Sequence, residues 1–308
     1  MLKILQQTLS KPIKFIGKGL HTGKDSLINI MPGLANQGII FKRTDLKKNN
    51  IITANYKNVS SAKLCTTLEN EFGVKVSTVE HLLAAFYIAG VDNAVVEINT
   101  EEVPIMDGSA HDFLEEIKKI KLRELTKKRK YLRILDKVEL IDGDRKISIE
   151  KNDSSFEVKF KLNYKNKIIG QQENKVNFHD KDLYDVINSR TFCLYEDIEK
   201  IKRLGLAKGG SLENALVVDK DKVLNKGGLR NKKEFVNHKI LDLAGDFLLS
   251  GFRVLGSVEC HHGGHELSNL FLKKLLNTKT AFEVTEIKEM VISEKIRSNQ
   301  SIKIAVNA

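Results

Sequence analysis

The sequence predicts an α+β fold in two domains, on three observations. The chain has 308 residues, which suits two modest domains of about 150 residues each. Each half contains strand-like patterns first and helical patterns afterwards, rather than the strict strand–helix alternation of a doubly wound sheet. Between the halves, residues 118–130 contain eight Lys or Arg and few side chains that could be buried. We therefore predict domains over residues 1–126 and 127–308, joined by a solvated basic linker.

The first half begins with short alternating segments. Glycines at 17, 19 and 23 and a Pro32-Gly33 turn border two of these segments and predict a β-hairpin. The pattern then predicts a helix over residues 77–90, a strand over 93–99 and a second helix from Gly108 to Ile120.

The second half repeats the order of strands before helices. Its predicted elements are strands within 131–140, 146–150 and 156–164, a helix near 180–188, a long helix over 233–251, a strand over 253–259 and a last helix after Gly264.

Charge restricts the class of partner. Lys and Arg number 51 against 40 Asp and Glu, a formal charge of +11, which indicates an anionic partner such as a nucleotide, a nucleic acid or an acidic membrane. Aromatic residues make up only 6%, and no helix-turn-helix, RNP or zinc-finger spacing occurs. The loop GKGLHTGK also lacks the P-loop spacing, because Lys18 stands where that motif has its first glycine. We expect no nucleic-acid partner.

Cysteine usage indicates a reducing compartment. Cys65, Cys193 and Cys260 are an odd number at long spacings without a CxxC pair, so neither a disulfide framework nor a thiolate zinc cluster is predicted. The N-terminal residues lack the apolar core of a secretory signal, and no apolar run approaches the length of a membrane span. We expect a cytoplasmic protein.

The long predicted helix contains a polar stripe. His238, Asp242 and Asp246 follow one another at four-residue steps on an otherwise apolar helix. Imidazole and carboxylate one turn apart can bind the same metal ion. The alternatives are an intrahelical hydrogen bond between His238 and Asp242, or a stripe that faces solvent.

A second candidate is the pair Glu80-His81 at the start of the first predicted helix. Ser77 with Glu80 three residues later forms a capping-box pattern, which would explain Glu80 without catalysis. The other interpretation is that His81 binds a metal and Glu80 acts as a general base beside it.

The third candidate is the segment ECHHGGHEL. His265 follows Gly263-Gly264 at the start of a helix, where the helix dipole would lower its pKa and a carboxylate such as Asp246 would raise it. A cationic His265 would be a good proton donor. His261 and His262 are either additional metal ligands or surface residues.

These residues occur within blocks that resemble one enzyme family. The blocks are GLHTGK, STVEHLLAA, NAVVEINTEEVPIMDGSA, SRTFCLYEDIE, GLAKGGSLENALVV, LNKGGLRNKKEFVNHKILDLAGD and GGHELSN. Together they resemble the zinc-dependent UDP-3-O-acyl-N-acetylglucosamine deacetylases of lipid A biosynthesis, over about residues 9–276. The HHGGH segment departs from that pattern, so His261 or His262 could compete for the metal. Cys65, upstream of the VEH block, is either a thiol that perturbs the metal site or a buried structural cysteine.

The resemblance implies a role for each site residue. His81, His238 and Asp242 would bind one zinc ion per chain, with ferrous iron as the alternative metal. Glu80 would be the general base, His265 the general acid, Asp246 its partner, and Thr191 would help stabilise the oxyanion. Substrate-binding residues would be Lys239, Phe192, Leu20, Ile198 and Gly210. Residues 191–215 would form a passage for the acyl chain, lined by Leu194, Ile198, Leu204, Leu206, Ala207 and Ala215. The alternative for that segment is an ordinary packed helix.

The resemblance also implies the fold and the reaction. The fold would have two similar domains, each a β-sheet packed on helices, in a β-α-α-β sandwich. The reaction would convert UDP-3-O-(3-hydroxyacyl)-N-acetylglucosamine to the free amine and acetate, the committed step of lipid A biosynthesis in Gram-negative bacteria. The enzyme would be a cytoplasmic monomer with at most peripheral contact with the inner membrane. A structural-zinc protein and an amidase for a related sugar nucleotide are the rival interpretations.

Overall fold

The computed structural model describes residues 2–180 and 182–287, and these residues form an α+β fold as predicted. Its α-helices are α1 Glu80–Ala89, α2 His111–Ile120, α3 Tyr184–Ile187, α4 Tyr195–Arg203, α5 Glu234–Leu248 and α6 His265–Asn277. The strands of the first half are β1 Leu5–Leu9, β2 Ile13–Lys18, β3 Asp25–Pro32, β4 Ile39–Arg43, β5 Ile51–Thr53, β6 Val59–Ser61, β7 Thr67–Glu69, β8 Lys75–Val76 and β9 Ala94–Ile98. The later strands are β10 Leu122–Lys128, β11 Lys130–Ile134, β12 Val138–Asp142, β13 Arg145–Glu150, β14 Phe156–Asn163, β15 Gln171–Asn177, β16 Phe192–Leu194, β17 Leu216–Asp219, β18 Lys222–Val223, β19 Arg253–His261 and β20 Phe282–Glu286.

A five-stranded sheet organises the first half, in the order β2-β3-β9-β4-β5. The predicted hairpin is β2 with β3, whose antiparallel register pairs Ile13 with Ile30. Alternate residues of these strands are buried, as expected for a sheet with one covered face. Phe15 of β2 meets Phe113 of α2 edge to face at 5.0 Å between ring centroids, so α2 covers the buried face.

A seven-stranded sheet organises the second half. Its main path is β12-β13-β19-β11-β20, and β14 joins β19 in parallel while carrying β15 at its other edge. Phe156 of β14 packs on Phe247 of α5, which in turn stacks on Phe271 of α6. Helices α5 and α6 therefore cover this sheet.

The two helical layers meet through α1 and α5, which gives the predicted order of sheet, helices, helices and sheet. The two helices touch at Gly245, where a Cβ atom would lie closer to the Glu80 carbonyl oxygen than van der Waals contact allows. Glycine at this position lets the backbones approach closely. This contact fixes the start of α1 beside the middle of α5.

The basic stretch is not a solvated linker. Strand β10 pairs antiparallel with β1, with Leu9 opposite Leu122. Arg129 is buried, and its guanidinium donates to the carboxylate of Asp92 and to the carbonyl of Gly90 at the end of α1. The aliphatic stems of lysine and arginine can line a strand while their charged ends stay in water. The sequence pattern does not distinguish such a strand from a solvated loop. The division at residue 126 falls inside β10 and stays a prediction.

Two further differences concern element boundaries. The predicted strand within 131–140 is split into β11 and β12 by residues 135–137, and α1 begins at Glu80 rather than near Ser77. Gly90 ends α1 as predicted, with a left-handed φ of 91°. None of the helices within residues 2–180 and 182–287 is long and apolar enough to cross a bilayer.

The helix contact at Gly245 gives a first prediction. We expect Gly245→Ala to lower the free energy of unfolding by about 2 to 3 kcal/mol, because the added methyl group forces α1 and α5 apart. Chemical denaturation measures the change. Gly264→Ala is the control, since a Cβ there meets open space and should cost about 1 kcal/mol or less. Equal stability of the two variants would contradict the tight contact.

Candidate active site

The start of α1 and the middle of α5 bring three potential metal ligands together. His81, His238 and Asp242 each offer one ligand atom, and these atoms lie within 4.8 Å of one another. The Nε2 atoms of His81 and His238 are 3.4 Å and 3.2 Å from the same oxygen, Oδ1 of Asp242. All three residues are buried, so the polar stripe does not face solvent.

The hydrogen bonds at this cluster favour metal binding over an intrahelical hydrogen bond. Nδ1 of His238 lies 3.0 Å from the carbonyl oxygen of Ser189, which can only accept, so Nδ1 carries the proton and Nε2 presents a lone pair. Burial lowers the pKa of His238 to about 3, which keeps the ring neutral. Within the described residues, Asp242 Oδ1 and His81 Nδ1 are buried without a hydrogen-bond partner. A cation between these lone pairs would satisfy the Asp242 oxygen, so the residues fit a metal ion.

Glu80 lies beside this cluster and does not cap its helix. The hydroxyl of Ser77 donates to the carbonyl of Glu101, whereas the Glu80 carboxylate accepts a hydrogen bond from the backbone N–H of Thr66 at 3.0 Å. The capping-box interpretation is therefore wrong. Burial raises the pKa of Glu80, which makes its carboxylate a stronger base than an exposed one.

His265 is the first residue of α6 and faces Glu80. Its Nδ1 lies 2.9 Å from Asp246 Oδ2, and its Nε2 lies 3.7 Å from Glu80 Oε1. Burial opposes the charged ring, but the carboxylates of Asp246, Glu80 and Asp242 outweigh it and raise the pKa of His265 to about 10. His265 is therefore a cation beside the buried carboxylate of Glu80.

Three further predicted site residues line one cleft beside this cluster. The cleft has a volume of about 600 Å³, and Thr191, Phe192 and Lys239 line it together with Glu80 and His265. The Lys239 ammonium lies 3.0 Å from Asp242 Oδ2 and 5.5 Å from the centre of the Phe192 ring. Its charge therefore lies at the edge of the metal cluster, within the cleft.

An apolar cavity of about 340 Å³ adjoins the cleft. Leu20, Ile198 and Gly210 line it. Leu20, Thr191 and Phe192 line both the cavity and the cleft. Helix α4 has no buried residue among its nine, so it is not an ordinary packed helix.

Only part of the predicted acyl-passage lining faces this cavity. Ile198, Ala207 and Ala215 line it, whereas Leu194 lines the cleft instead. Leu204 is 58% exposed and lines neither space. Leu206, also predicted for the passage, lines neither the cavity nor the cleft.

The other histidines and Cys65 do not join the metal cluster. His261 pairs with Glu259 at 3.1 Å, and His262 is exposed in the loop before α6. Cys65 is buried 3.8 Å from the Thr67 hydroxyl, and burial raises the pKa of its thiol to about 12. Among the described residues, the three ligands above are the one group with metal-binding geometry.

Two residues of the site have no sequence signal. Thr66 donates through its N–H to Glu80 and through its hydroxyl to Asp246 at 2.7 Å. Ser189 orients His238 through a backbone carbonyl, an atom that every residue type possesses. Thr66 is separated from Asp246 by 180 residues, so only the folded chain brings them together.

The fold and this site define a metal-dependent hydrolase, with three potential metal ligands, a buried carboxylate and a cationic histidine at one cleft. More particularly, the chain belongs to the UDP-3-O-acyl N-acetylglycosamine deacetylase (LpxC) family, whose model matches residues 6–277. It is 40% identical to the UDP-3-O-acyl-N-acetylglucosamine deacetylase of Geotalea uraniireducens, over 92% of each chain. It is 38% identical to the proteins of the same name from Shewanella violacea and Pseudoalteromonas translucida, over 91% of this chain and 92% and 93% of theirs.

The raised pKa of His265 predicts a pH dependence of stability for the metal-free protein. The ring titrates near 6.5 when unfolded and near 10 when folded, so between these values the native state holds the extra proton and loses stability as pH rises. We expect the difference in unfolding free energy between wild type and His265→Gln to fall by up to about 1.4 kcal/mol per pH unit in this window. Urea denaturation of chelator-treated protein measures it, and a difference independent of pH would contradict the assignment.

Proposed function

We propose that this chain hydrolyses the N-acetyl group of a UDP-3-O-(3-hydroxyacyl)-N-acetylglucosamine, which releases acetate and the free amine. The observation that supports this most is the Glu80–His265 pair beside the cluster of His81, His238 and Asp242, at a cleft that continues into an apolar cavity. Membership of the deacetylase family and the names of the relatives point to the same reaction.

We infer that His81, His238 and Asp242 bind one zinc ion, with ferrous iron as the alternative. Two imidazoles and one carboxylate are the three-ligand set of many catalytic zinc sites. When bound, the metal would polarise the amide carbonyl and make the attacking water more acidic. Ser189 would keep His238 in the ligand tautomer through its carbonyl.

Glu80 accepts the proton of the attacking water in this mechanism. Its pKa is raised by burial, and the Thr66 N–H holds one carboxylate oxygen so that the other points toward His265. As water adds to the amide carbon, its proton passes to Glu80 and the carbonyl oxygen gains negative charge. Thr191 lines the cleft, and we infer that it helps to stabilise that charge.

His265 supplies the proton that the departing nitrogen needs. Its ring holds the proton at Nε2 while Nδ1 donates to Asp246, whose other oxygen accepts from Thr66. Transfer of the Nε2 proton to nitrogen accompanies cleavage of the C–N bond, so that an amine rather than an amide anion leaves. Asp246 thereby orients and charges His265 without contacting substrate.

The two spaces suit the two ends of the proposed substrate. Leu20, Ile198 and Gly210 would contact the acyl chain in the apolar cavity, while Lys239 and Phe192 would contact the sugar nucleotide near the metal cluster. A lysine charge at this position suits an anionic diphosphate substrate. All three cysteines are free thiols, which supports a location in a reducing cytoplasm. We further propose that the enzyme acts as a monomer and contacts the inner membrane only peripherally.

The role of Glu80 is tested by Glu80→Gln, which keeps the shape of the side chain and removes the base. We expect kcat to fall by about 10² to 10⁴, while the metal content stays at that of wild type. Acetate release and metal analysis of the same sample measure the two effects. Glu69→Gln is the control, because Glu69 pairs with Lys75 away from the cleft. Full activity of Glu80→Gln, or wild-type activity that survives chelation, would contradict the mechanism.

The acyl-chain assignment is tested by filling the apolar cavity. We expect Ile198→Trp to raise KM about tenfold for a long-chain substrate, the scale expected when a hydrophobic pocket no longer fits its ligand. A substrate with a short acyl chain should be unaffected, because it does not reach the cavity. Glu199→Gln, on the exposed side of α4, is the control. An equal rise in KM for both substrates would contradict the assignment.

A further inference from the structure

Glu102 is a buried carboxylate that the proposed reaction does not use. It is fully buried and accepts four hydrogen bonds. Oε1 accepts from the His21 N–H at 2.8 Å and from the Thr78 hydroxyl at 2.9 Å. Oε2 accepts from the N–H and the hydroxyl of Thr22, both at 2.7 Å. Two segments far apart in sequence therefore converge on one side chain.

The surroundings of Glu102 are shaped for a carboxylate rather than for any polar group. Within residues 2–180 and 182–287 it forms no ion pair, so its four neutral donors alone compensate for the loss of hydration. A Cβ at Gly19 would collide with its Oε2 and with the Thr22 hydroxyl, so glycine at residue 19 lets the loop close tightly around the carboxylate. Such a buried carboxylate is costly unless every donor is in place.

One hydrogen bond of Glu102, from the Thr78 hydroxyl, lies two residues before the proposed base Glu80. Thr78 has a left-handed φ of 56°, an unfavourable conformation for a β-branched residue that surrounding contacts must maintain. It is followed by Val79, whose N–H bonds to the carbonyl of Thr66, and then by Glu80, whose carboxylate accepts from the N–H of the same Thr66. The turn at Thr78 therefore sets where α1 begins and where the Glu80 side chain points.

The other hydrogen bonds of Glu102, from His21 and Thr22, hold a loop beside the apolar cavity. The loop that Glu102 holds contains Leu20 and His21, whose carbonyl oxygens accept hydrogen bonds from the N–H groups of Gly209 and Lys208. Leu20 lines both the cleft and the apolar cavity. One carboxylate thus connects the start of the catalytic helix with the segment that encloses the cavity.

We propose that Glu102 is a positioning residue for Glu80, acting through the left-handed turn at Thr78. It contacts neither the metal ligands nor the cleft, so its effect passes through the conformation of residues 78–80. The inference rests on the proposed function for its effect on rate. Its effect on the Thr66–Glu80 hydrogen bond stands independently of any activity.

The principal test is Glu102→Gln, which keeps the size of the side chain but turns an N–H₂ group toward its donors. We expect kcat to fall about 30-fold, with metal content unchanged and KM changed less than kcat. Glu101→Gln is the matched control: Glu101 is the neighbouring carboxylate, paired with Lys24 at 2.7 Å, and its loss should change kcat less than twofold. An unchanged kcat in Glu102→Gln would overturn the proposal.

A double-mutant cycle with Glu80→Gln separates positioning from general structural damage. If Glu102 acts through Glu80, adding Glu102→Gln to the Glu80→Gln protein should lower the residual kcat less than threefold. The same 30-fold loss in both backgrounds, or a loss explained by missing metal, would overturn the proposal. If Glu102→Gln does not fold, Thr78→Val replaces it in the cycle. This variant removes the one hydrogen bond between Thr78 and Glu102.

Amide hydrogen exchange tests the proposal without activity. In Glu102→Gln the Thr66 N–H should exchange faster than in wild type, because its acceptor Glu80 is displaced, and the amides of His21 and Thr22 should also exchange faster. The control Glu101→Gln should match wild type at Thr66. If Thr66 exchanges faster in Glu102→Gln but the wild-type chain releases no acetate, the positioning role stands and the proposed function is rejected. Unchanged exchange at Thr66 would overturn the positioning role.

Discussion

The close contact between α1 and α5 is the constraint on which the rest of the site depends. Because Gly245 has no side chain, the carbonyl oxygen of Glu80 can lie against α5 in the space that a Cβ atom would occupy. At that distance, His81 from one helix reaches the same carboxylate oxygen as His238 from the other. The three potential metal ligands therefore come from both halves of the chain, at the contact that packs α1 against α5.

Burial at this contact separates the roles of chemically similar groups. His238 is made neutral by desolvation and by its bond to the Ser189 carbonyl, whereas His265 is made cationic by three carboxylates around it. Glu80, with a pKa raised by burial, lies between a cation and the metal ligands. One imidazole thus presents a lone pair and another carries a proton because of their neighbours, which is how a single cleft can provide both an acid and a base.

Much of the site could be predicted from local pattern. The four-residue spacing of His238, Asp242 and Asp246 placed them on one face of a helix, and the helix is present with those residues buried. The same kind of reasoning failed at Ser77 and Glu80, because a capping-box spacing is compatible with two different partners for Glu80. Tertiary structure supplied Thr66 as the partner, and a residue 14 positions away leaves no periodic signal. The prediction of a solvated linker over residues 118–130 was wrong for a related reason, because the pairing of β10 with β1 is a long-range contact.

By itself the sequence determined the α+β class, most helices, the resemblance to the deacetylase family and the identity of the candidate ligands, because these follow from periodicity and from short motifs. Only the tertiary structure decided which atoms share a proton or a lone pair. The tautomer of His238, the charge of His265 and the four donors around Glu102 all depend on contacts between segments far apart in the chain. Such contacts follow from how elements pack, and packing is a property of the whole fold rather than of any local stretch of sequence.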